Sequence, residues 1–400
     1  MRILYFSSHP THDTLSDVGY STHQREMIEA MLALGHEVIP IIIGNDRIKE
    51  IDEQAVSNGS VSFISRFKRV VPSIIWQSVK DIQMLSHGVR TVKPRFEQAI
   101  IKFKPDAIYE RTEILIGVGA QLAAKHKVPH IYEVNGPGVE EMIKFEGRSL
   151  MNGFAERLEK IKYRSTSAIC SVSQDLSIFL QNRYSVNPDK ITTIPNAYNP
   201  EHFSIYSRNS LDVKFNFKST DLVFGFVGSI LPFHGVDLLV NAFAEVKKSF
   251  GQVKLLIVGS GMSLADLKLL AQKKGVSNDV FFTGQVKHYH VKEYMQLMDV
   301  AIMAKSNWYG SPVKIFEYGA MKKAIIAPNV GPVRDVMQDG EHGLLIEPDL
   351  GSLVEAMKTL ATDVQLRVRL AEHFHQKVLM NHTWENNAKR VINIFNGLMK

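Results

Sequence analysis

The chain has 400 residues and a formal net charge of +6, with 45% hydrophobic and 22% charged residues. This length is too great for one ordinary core and suits two α/β domains, and the composition excludes a disordered chain. The single cysteine, Cys170, excludes an internal disulfide, and no apolar stretch reaches the roughly 18 residues of a membrane span. We therefore predict a cytoplasmic protein without a cleavable signal.

Short apolar runs alternate with longer amphipathic segments, which is typical of parallel sheets wrapped by helices. In the first half, a helix over residues 20–34 is stopped by Gly35 and follows a glycine-bearing loop, as in the opening unit of a Rossmann-like domain. The strands predicted in this half are 3–7, 37–43, 107–110, 130–134, 168–172 and 191–194.

The pattern then restarts, which predicts a second copy of the same architecture. Its strands are predicted at 221–227, 253–258, 280–283, 300–303, 324–327 and 343–346. The boundary is expected within 196–219, a polar stretch without strong periodicity, so we predict domains at 1–203 and 204–383. A last helix, at about 384–400, is expected to cross back to the first domain.

The stretch 65–104 is strongly basic, with nine lysines and arginines against Asp81 and Glu97. One interpretation is a helix lying on an anionic bilayer, which would place the protein at the inner face of the membrane. The other is a solvated helix whose apolar stripe belongs to the core. No nucleic-acid reading motif is present, so we expect no nucleic-acid partner. The apolar side chains among these cations are Phe67, Val70, Val71, Ile74, Ile75 and Trp76.

The segment most informative about chemistry is 307–321, which follows a predicted buried strand. Ser311 is a good N-cap and Pro312 a good first helical residue, so a helix is predicted to begin there. Its N–H groups and positive dipole end would attract a diphosphate, and Lys314 would add a full charge. Glu317, in the second turn, is placed to accept hydrogen bonds from ribose hydroxyls. An ordinary capped helix without a ligand is the alternative.

Three glycine-bearing loops lie at equivalent places in the two halves, around Gly19, Gly228 and Gly259. Glycine lets the backbone approach a phosphate closely. The full G-x-G-x-x-G spacing is absent from all three, and no Walker lysine is present, which argues against an ATPase.

An ordered set of segments extends over nearly the whole chain, and the most specific of them is GSPVKIFEYGA at 310–320. Others are YERTEILIGVGA (109–120), IYEVNGP (131–137), IPNAYN (194–199), FVGSILPFHGVDLLVNAF (226–243) and DGEHGLLIEP (339–348). Together they resemble the retaining glycosyltransferases of family four, which have the GT-B fold.

This resemblance implies an α/β chain of two facing Rossmann-like domains, with a UDP- or GDP-sugar held mainly by the second. It also implies that no metal or cofactor is needed, because protein groups neutralise the departing diphosphate. By this match Glu317 would hold the ribose, Gly284–Val286 would line the nucleobase, and Gly19 would approach the diphosphate from the first domain. The implied donor-binding residues are Gly19, Gly228, Ser229, Gly259, Gly284, Gln285, Val286, Gly310, Ser311, Pro312, Val313 and Glu317.

Three positions depart from many relatives. Ser229 and His234 stand where an arginine and a lysine are usual, and Tyr309 stands where a glutamate is usual. Either Lys314 and a charged His234 then stabilise the diphosphate, or the activity is weak; the intact SPVKIFE segment favours the first alternative. Glu133 and Asn135, at a strand end, are candidates for acceptor contact, and the alternative for Glu133 is a carboxylate tied to backbone groups. The catalytic candidates are Lys314, Glu317, His234, Glu133 and Asn135.

The predicted reaction retains the anomeric configuration: the acceptor hydroxyl attacks from the face that the nucleotide leaves, and leaving-group oxygens act as the base. A glycan, a lipid-linked sugar and a small molecule are all compatible acceptors, and polysaccharide or glycoconjugate assembly is the expected setting. A catalytically silent partner subunit and a sugar-nucleotide epimerase are the two alternatives.

Overall fold

The computed structural model describes residues 1–16, 19–45, 72–204 and 215–400. The chain forms two compact units: Met1–Ile194 together with Asn387–Lys400, and Pro195–Asn386. Each unit is built on a six-stranded sheet whose neighbouring strands are all parallel. The predicted fold class, α/β with two parallel sheets, is confirmed.

The sheet of the first unit has the strand order β2-β1-β3-β4-β5-β6. Its strands are β1 (Arg2–Ser7), β2 (Glu37–Ile42), β3 (Ala107–Arg111), β4 (His130–Val134), β5 (Ala168–Ser171) and β6 (Ile191–Thr193). The helices described around it are α1 (Gly19–Ala33), α2 (Ser73–His87), α3 (Lys93–Phe103), α4 (Val118–His126), α5 (Val139–Glu146), α6 (Asn152–Ser165) and α7 (Gln174–Tyr184), with a π-helical turn, Gly88–Val92, joining α2 to α3.

The sheet of the second unit has the order β12-β11-β10-β7-β8-β9. Its strands are β7 (Leu222–Val227), β8 (Val253–Val258), β9 (Val280–Phe282), β10 (Val300–Ile302), β11 (Ala324–Pro328) and β12 (Leu344–Ile346). The helices described around it are α8 (Val236–Ser249), α9 (Leu264–Lys273), α10 (His288–Gln296), α11 (Val313–Ala320), α12 (Gly331–Arg334), α13 (Leu350–Thr362) and α14 (Val364–Asn381).

The buried clusters of the second unit explain why its strands coincide with the apolar runs of the sequence. In β7, Phe224 and Phe226 belong to one buried cluster, while Val223 and Val227 belong to another. Successive side chains of a strand point to opposite faces, so both faces of this sheet are covered by helices. Each of the twelve predicted strands lies within one residue of an observed strand at both ends.

In both sheets there is a point where the strand order reverses, so that the chain leaves two neighbouring strands toward opposite edges of the sheet. In the first sheet β1 lies next to β3, and in the second β7 lies next to β10. Such switch points leave a crevice at the carboxyl ends of the two strands, which is where open α/β sheets bind ligands. The chemistry-bearing residues described below lie at these switch points or at the carboxyl ends of the strands beside them.

The last helix, α15 (Trp384–Leu398), leaves the second unit, and its residues from Asn387 onward belong to the first. The predicted return of the C-terminal helix to the first domain is therefore confirmed. Among the residues that the structure describes, no helix is long and apolar enough to span a membrane.

The basic stretch 65–104 is described only from residue 72 onward, so Phe67, Val70 and Val71 lie outside the described residues. From there it forms α2, the π-helical turn and α3. Ile74 and Ile75 are exposed rather than buried. The interpretation that the apolar stripe belongs to the core is therefore wrong at these two residues.

Candidate active site

The switch point of the second sheet carries the segment singled out from the sequence. After β10 the chain forms a loop and then α11, whose N-cap residue is Pro312 and which has no side-chain cap. The prediction that Ser311 caps this helix is wrong. The Ser311 hydroxyl instead accepts the Asn196 backbone N–H at 3.0 Å, and the Ser311 carbonyl accepts Asn196 Nδ2 at 2.6 Å. Ser311 therefore anchors the loop, and the first turn of α11 lacks a side-chain acceptor of the usual kind.

Lys314 lies in the first turn of α11, and its Nζ is shielded from solvent. Among the described residues this ammonium has no hydrogen-bond partner, and it lies 4.4 Å from the centre of the Phe226 ring. Burial lowers the pKa of Lys314 to about 8, although the Glu317 carboxylate acts in the opposite direction. A buried cation without a charged hydrogen-bond partner is costly, so this position is suited to an anion that binds there.

Gly228, the residue directly after β7, lies against this ammonium. Its φ is +139°, and a Cβ added there would lie 2.7 Å from Lys314 Nζ. Any side chain at this position would therefore be strained and would crowd the cation. The glycine keeps the space between the β7 end and Lys314 open.

Two further glycines line the same edge of the sheet. Gly259, after β8, has φ +137°, and a Cβ added to it would lie 2.0 Å from the Gly228 carbonyl oxygen. The Gly259 N–H donates to the Gly284 carbonyl at 3.1 Å. The loops of Gly228, Gly259 and Gly284 are thus packed backbone against backbone at the carboxyl ends of β7, β8 and β9.

Glu317 lies one turn further along α11 and is largely buried. His288 Nε2, at the start of α10, lies 3.0 Å from Glu317 Oε1. This contact fixes the carboxylate and ties α10 to α11. Sequence reasoning missed His288, because a lone histidine at a helix start gives no signal of its distant partner. Between β9 and α10, Gln285 is exposed and Val286 packs against the core.

The helix that carries these groups is held rigidly. The Val227 N–H, at the end of β7, donates to the Tyr318 hydroxyl at 2.8 Å, and Tyr318 is fully buried. In the preceding loop, Asn307 Oδ1 accepts the N–H groups of Tyr309 and Gly310. Tyr309, which replaces the glutamate usual in relatives, is buried. The segment that contains Ser311 and Val313 is therefore held on both sides, by Asn307 in the loop before it and by Tyr318 in the helix after it.

In the free protein His234 is not the charged group that the sequence predicted. Burial, together with the nearby Lys314 charge, lowers the pKa of His234 to about 4, so this imidazole is neutral at pH 7. Its Nδ1 donates to the Ser229 carbonyl at 2.6 Å. His234 therefore braces the loop after β7, and Lys314 supplies a buried positive charge at this switch point.

In the first unit, Glu133 is the last residue but one of β4 and lies within a buried charge cluster. Glu133 Oε1 accepts from Arg111 at 2.8 Å and from Asn135 at 2.6 Å, and His23 Nε2 lies 3.2 Å from Oε2. Burial alone would raise the pKa of Glu133, but His23 and Arg111 outweigh it and hold that pKa well below its usual range. These partners are side chains, so the backbone-tied alternative is wrong, and acceptor contact by Glu133 or Asn135 stays a prediction.

Among the described residues, His9, His12 and Glu113 bring metal-type ligand atoms within 4.8 Å of one another. The two imidazoles stack at 3.6 Å and 18°, which places their lone pairs in two nearly parallel planes, a poor arrangement for binding one ion. His9 Nδ1 also accepts the Thr11 N–H, so the Nε2 of the neutral ring carries the proton and offers no lone pair. This geometry is poor for a metal.

Gly19 is the first residue of α1 and belongs to the first unit. The two residues before it, 17 and 18, lie outside the described residues. Its predicted approach to a diphosphate stays a prediction.

Family models match two consecutive parts of the chain: Glycosyltransferase Family 4 over residues 19–202 and Glycosyl transferases group 1 over residues 207–376. An uncharacterized glycosyltransferase of Methanocaldococcus jannaschii is 22% identical over 394 residues, which cover 96% of this chain and 95% of that protein. D-inositol 3-phosphate glycosyltransferase of Stackebrandtia nassauensis is 27% identical over 270 residues, which cover 64% of this chain and 60% of that protein.

Solved structures with this fold extend over both units. Sucrose-phosphate synthase of Thermosynechococcus elongatus matches with a TM-score of 0.73 at 18% identity, over 100% of this chain and 98% of that one. Anabaena HepE, solved in complex with UDP, matches with a TM-score of 0.75 at 15% identity, over 99% and 100% of the two chains. The predicted GT-B fold is thereby confirmed. The two family models, which together match residues 19–202 and 207–376, show that the chain belongs to the group 1 glycosyltransferases.

Proposed function

We propose that this glycosyltransferase moves a sugar from a UDP- or GDP-sugar to an acceptor hydroxyl with retention of the anomeric configuration. The observation that carries the proposal is the buried Lys314 ammonium, which has no hydrogen-bond partner among the described residues and lies against the glycine at the end of β7. A diphosphate is the ligand class that would complete this site. It supplies the anion that the cation lacks, and it suits the glycine backbone beside it.

In the transition state, negative charge grows on the departing phosphate while the sugar becomes oxocarbenium-like. Preorganised positive groups at that phosphate supply most of the stabilisation in such a reaction. Lys314 and the first N–H groups of α11 would provide it here. Glu317, fixed by His288, would accept hydrogen bonds from the ribose, and Gly284–Val286 would line the base.

UDP is the first nucleotide to test, because Anabaena HepE was solved with UDP and with UDP-glucose. A thermal-shift series with UDP-, GDP- and other nucleotide sugars would identify the donor. We expect one nucleotide to raise the melting temperature. If none does, the site is not a donor site, and the neutral His234 and Ser229 would favour a catalytically silent partner subunit. Turnover of the nucleotide sugar without acceptor would indicate an epimerase instead.

Retention and metal independence need separate measurements. NMR of the product should show the anomer of the donor, and an inverted product would contradict the mechanism. Because Lys314 and helix N–H groups would carry the charge of the leaving group, a chelator should leave the transfer rate unchanged. The acceptor is a glycan, a lipid-linked sugar or a small molecule, in polysaccharide or glycoconjugate assembly.

Removing the Glu317 carboxylate tests the ribose contact. We expect Glu317→Ala to lower kcat/KM for transfer at least tenfold, or about 1.4 kcal/mol of transition-state stabilisation. Glu293→Ala is a matched control, because Glu293 pairs with His290 on the exposed side of α10. Equal rates in wild type and Glu317→Ala would show that Glu317 does not contact the donor.

The depressed pKa of Lys314 predicts how donor affinity depends on pH. Lys314 in the free protein loses its charge as pH rises through about 8, whereas a bound diphosphate would keep it protonated. Binding a UDP-sugar above that pH should therefore take up a proton, and affinity should fall as pH rises. Calorimetry in two buffers of different ionisation enthalpy would measure this uptake. A Lys314→Met variant should show no such uptake.

A further inference from the structure

The exposed face of α2 is apolar and its buried face is polar. Gln77, Ser78 and Asp81 are almost fully buried, while Ile75, Val79 and Ile82 are 46%, 42% and 55% exposed. The spacing i, i+4, i+7 places the three exposed side chains in one stripe. This distribution is the reverse of that of an amphipathic helix packed on a core.

Hydrogen bonds fix this orientation of α2. Gln77 Nε2 donates to Asp81 Oδ1 at 3.0 Å and to Glu146 Oε2 at 3.1 Å. The Leu150 N–H donates to the Ser78 hydroxyl at 2.9 Å. Turning the apolar stripe inward would break the two bonds to Glu146 and Leu150 and leave polar groups unpaired, while the bond from Gln77 to Asp81 lies within α2. The outward direction of the stripe is thus determined by the fold.

The chain beside α2 adds more exposed apolar side chains. Residues 144–154 lie next to α2 through the bonds of Ser78 and Gln77 described above. Within this segment Phe145, Leu150 and Phe154 are exposed, Leu150 by 74%. Exposed apolar groups gathered in one neighbourhood mark an interaction surface more often than single ones do. We name this surface the α2 face; its apolar residues are Ile75, Val79, Ile82, Phe145, Leu150 and Phe154.

The charges among these residues are mostly positive. Residues 74–90 and 144–154 contain Lys80, Arg90, Lys144 and Arg148. Their acidic residues are Asp81, which is buried, and Glu146, whose carboxylate lies 3.5 Å from Lys80 Nζ. The α2 face therefore presents apolar side chains with an excess of cations beside them.

We propose that the α2 face docks on an anionic phospholipid bilayer. An apolar stripe with lysine and arginine beside it is the composition of helices that lie in a membrane interface. Protein interfaces, by contrast, are depleted in lysine, so a bilayer fits this surface better than a protein partner does. The α2 helix would lie along the membrane plane. This proposal stands apart from the transfer reaction, since it needs neither the donor nor Lys314.

Flotation with vesicles tests the proposal. Wild type should float with vesicles of phosphatidylcholine and phosphatidylglycerol, much less with phosphatidylcholine alone, and less in high salt. The triple variant Ile75→Ser/Val79→Ser/Ile82→Ser should bind at least about tenfold more weakly, because three apolar side chains no longer enter the interface. The matched control is Val364→Ser/Val368→Ser/Leu379→Ser, which changes three exposed apolar residues of α14 and should float like wild type.

The outcomes separate this surface from the donor site. An unchanged melting temperature and unchanged UDP-induced shift would show that the triple variant is folded, whether or not transfer is ever detected. Wild type that stays unbound with anionic vesicles, or a triple variant that floats as well as wild type, would overturn the proposal. Self-association of the wild type that the triple variant abolishes, without vesicle binding, would assign the face to a second copy of the chain.

Discussion

Replacing Lys314 with methionine should lower the rate of sugar transfer by about a hundredfold or more, since one preorganised group at a developing anion contributes about 3 kcal/mol. The same change should leave the free protein at least as stable as wild type. The Nζ of Lys314 has no hydrogen-bond partner among the described residues, so its removal breaks no bond, and methionine keeps an apolar side chain against Phe226. Loss of activity with no loss of melting temperature is the expected signature of a ligand-binding cation.

A paired lysine of the same unit is the control. Lys254, near the amino end of β8, lies 2.7 Å from Asp279, at the edge opposite the glycine loops. Lys254→Met should leave the transfer rate unchanged and lower the melting temperature. If Lys314→Met transfers at the wild-type rate, the diphosphate is not held by Lys314. A large loss of stability in this variant would instead give Lys314 a structural role.

The second sheet and its glycine loops were predictable because their signals are local. An apolar run bounded by glycine defines a buried strand, and parallel order brings the strand ends to one edge. The Gly228 loop, Gly259 and Lys314 follow three of these strands, and the structure places the three loop regions side by side. To predict that these loops lie side by side, it is enough to know the order of the strands in the sheet.

The details that sequence reasoning missed depend on partners far along the chain. Ser311 has the composition of an N-cap, but its hydroxyl is occupied by the N–H of a residue 115 positions earlier, Asn196. Glu317 meets His288, which lies 29 positions earlier. The charge of His234 depends on burial beside Lys314. None of these contacts can be predicted from the spacing of residues within a short segment of the sequence.

The orientation of α2 shows the same limit. Its composition fitted either a core stripe or a membrane surface, because both need an apolar face at helical spacing. The bonds of Glu146 and Leu150 to Gln77 and Ser78 hold the polar face inward, so the structure decides the direction of the stripe, and contact with a membrane stays a proposal. The side that a helix buries is thus set by tertiary hydrogen bonds as well as by hydrophobicity.

Replacing Glu133 with alanine should destabilise the first unit by about 3 kcal/mol, because removing one partner leaves buried charges uncompensated. Arg111 and His23, which are 12% and 6% exposed in their side chains, would lose their common carboxylate. For a unit of this size, the melting temperature should fall by about 6 to 12 °C. Glu133→Gln should lose less, because the amide oxygen still accepts from Arg111. Calorimetry of the full chain measures both.

The pH dependence separates this scaffold role from acceptor contact. The Glu133 pKa is held well below its ordinary value of 4.5, so its contribution to stability is present above that value and is lost as pH falls through the folded pKa. The difference in stability between wild type and Glu133→Gln should therefore narrow in acid. If Glu133 only contacts the acceptor, both variants should melt like wild type and lose kcat/KM for the acceptor. Glu37→Ala, which removes an exposed partner of Arg2, should melt unchanged and serves as the control.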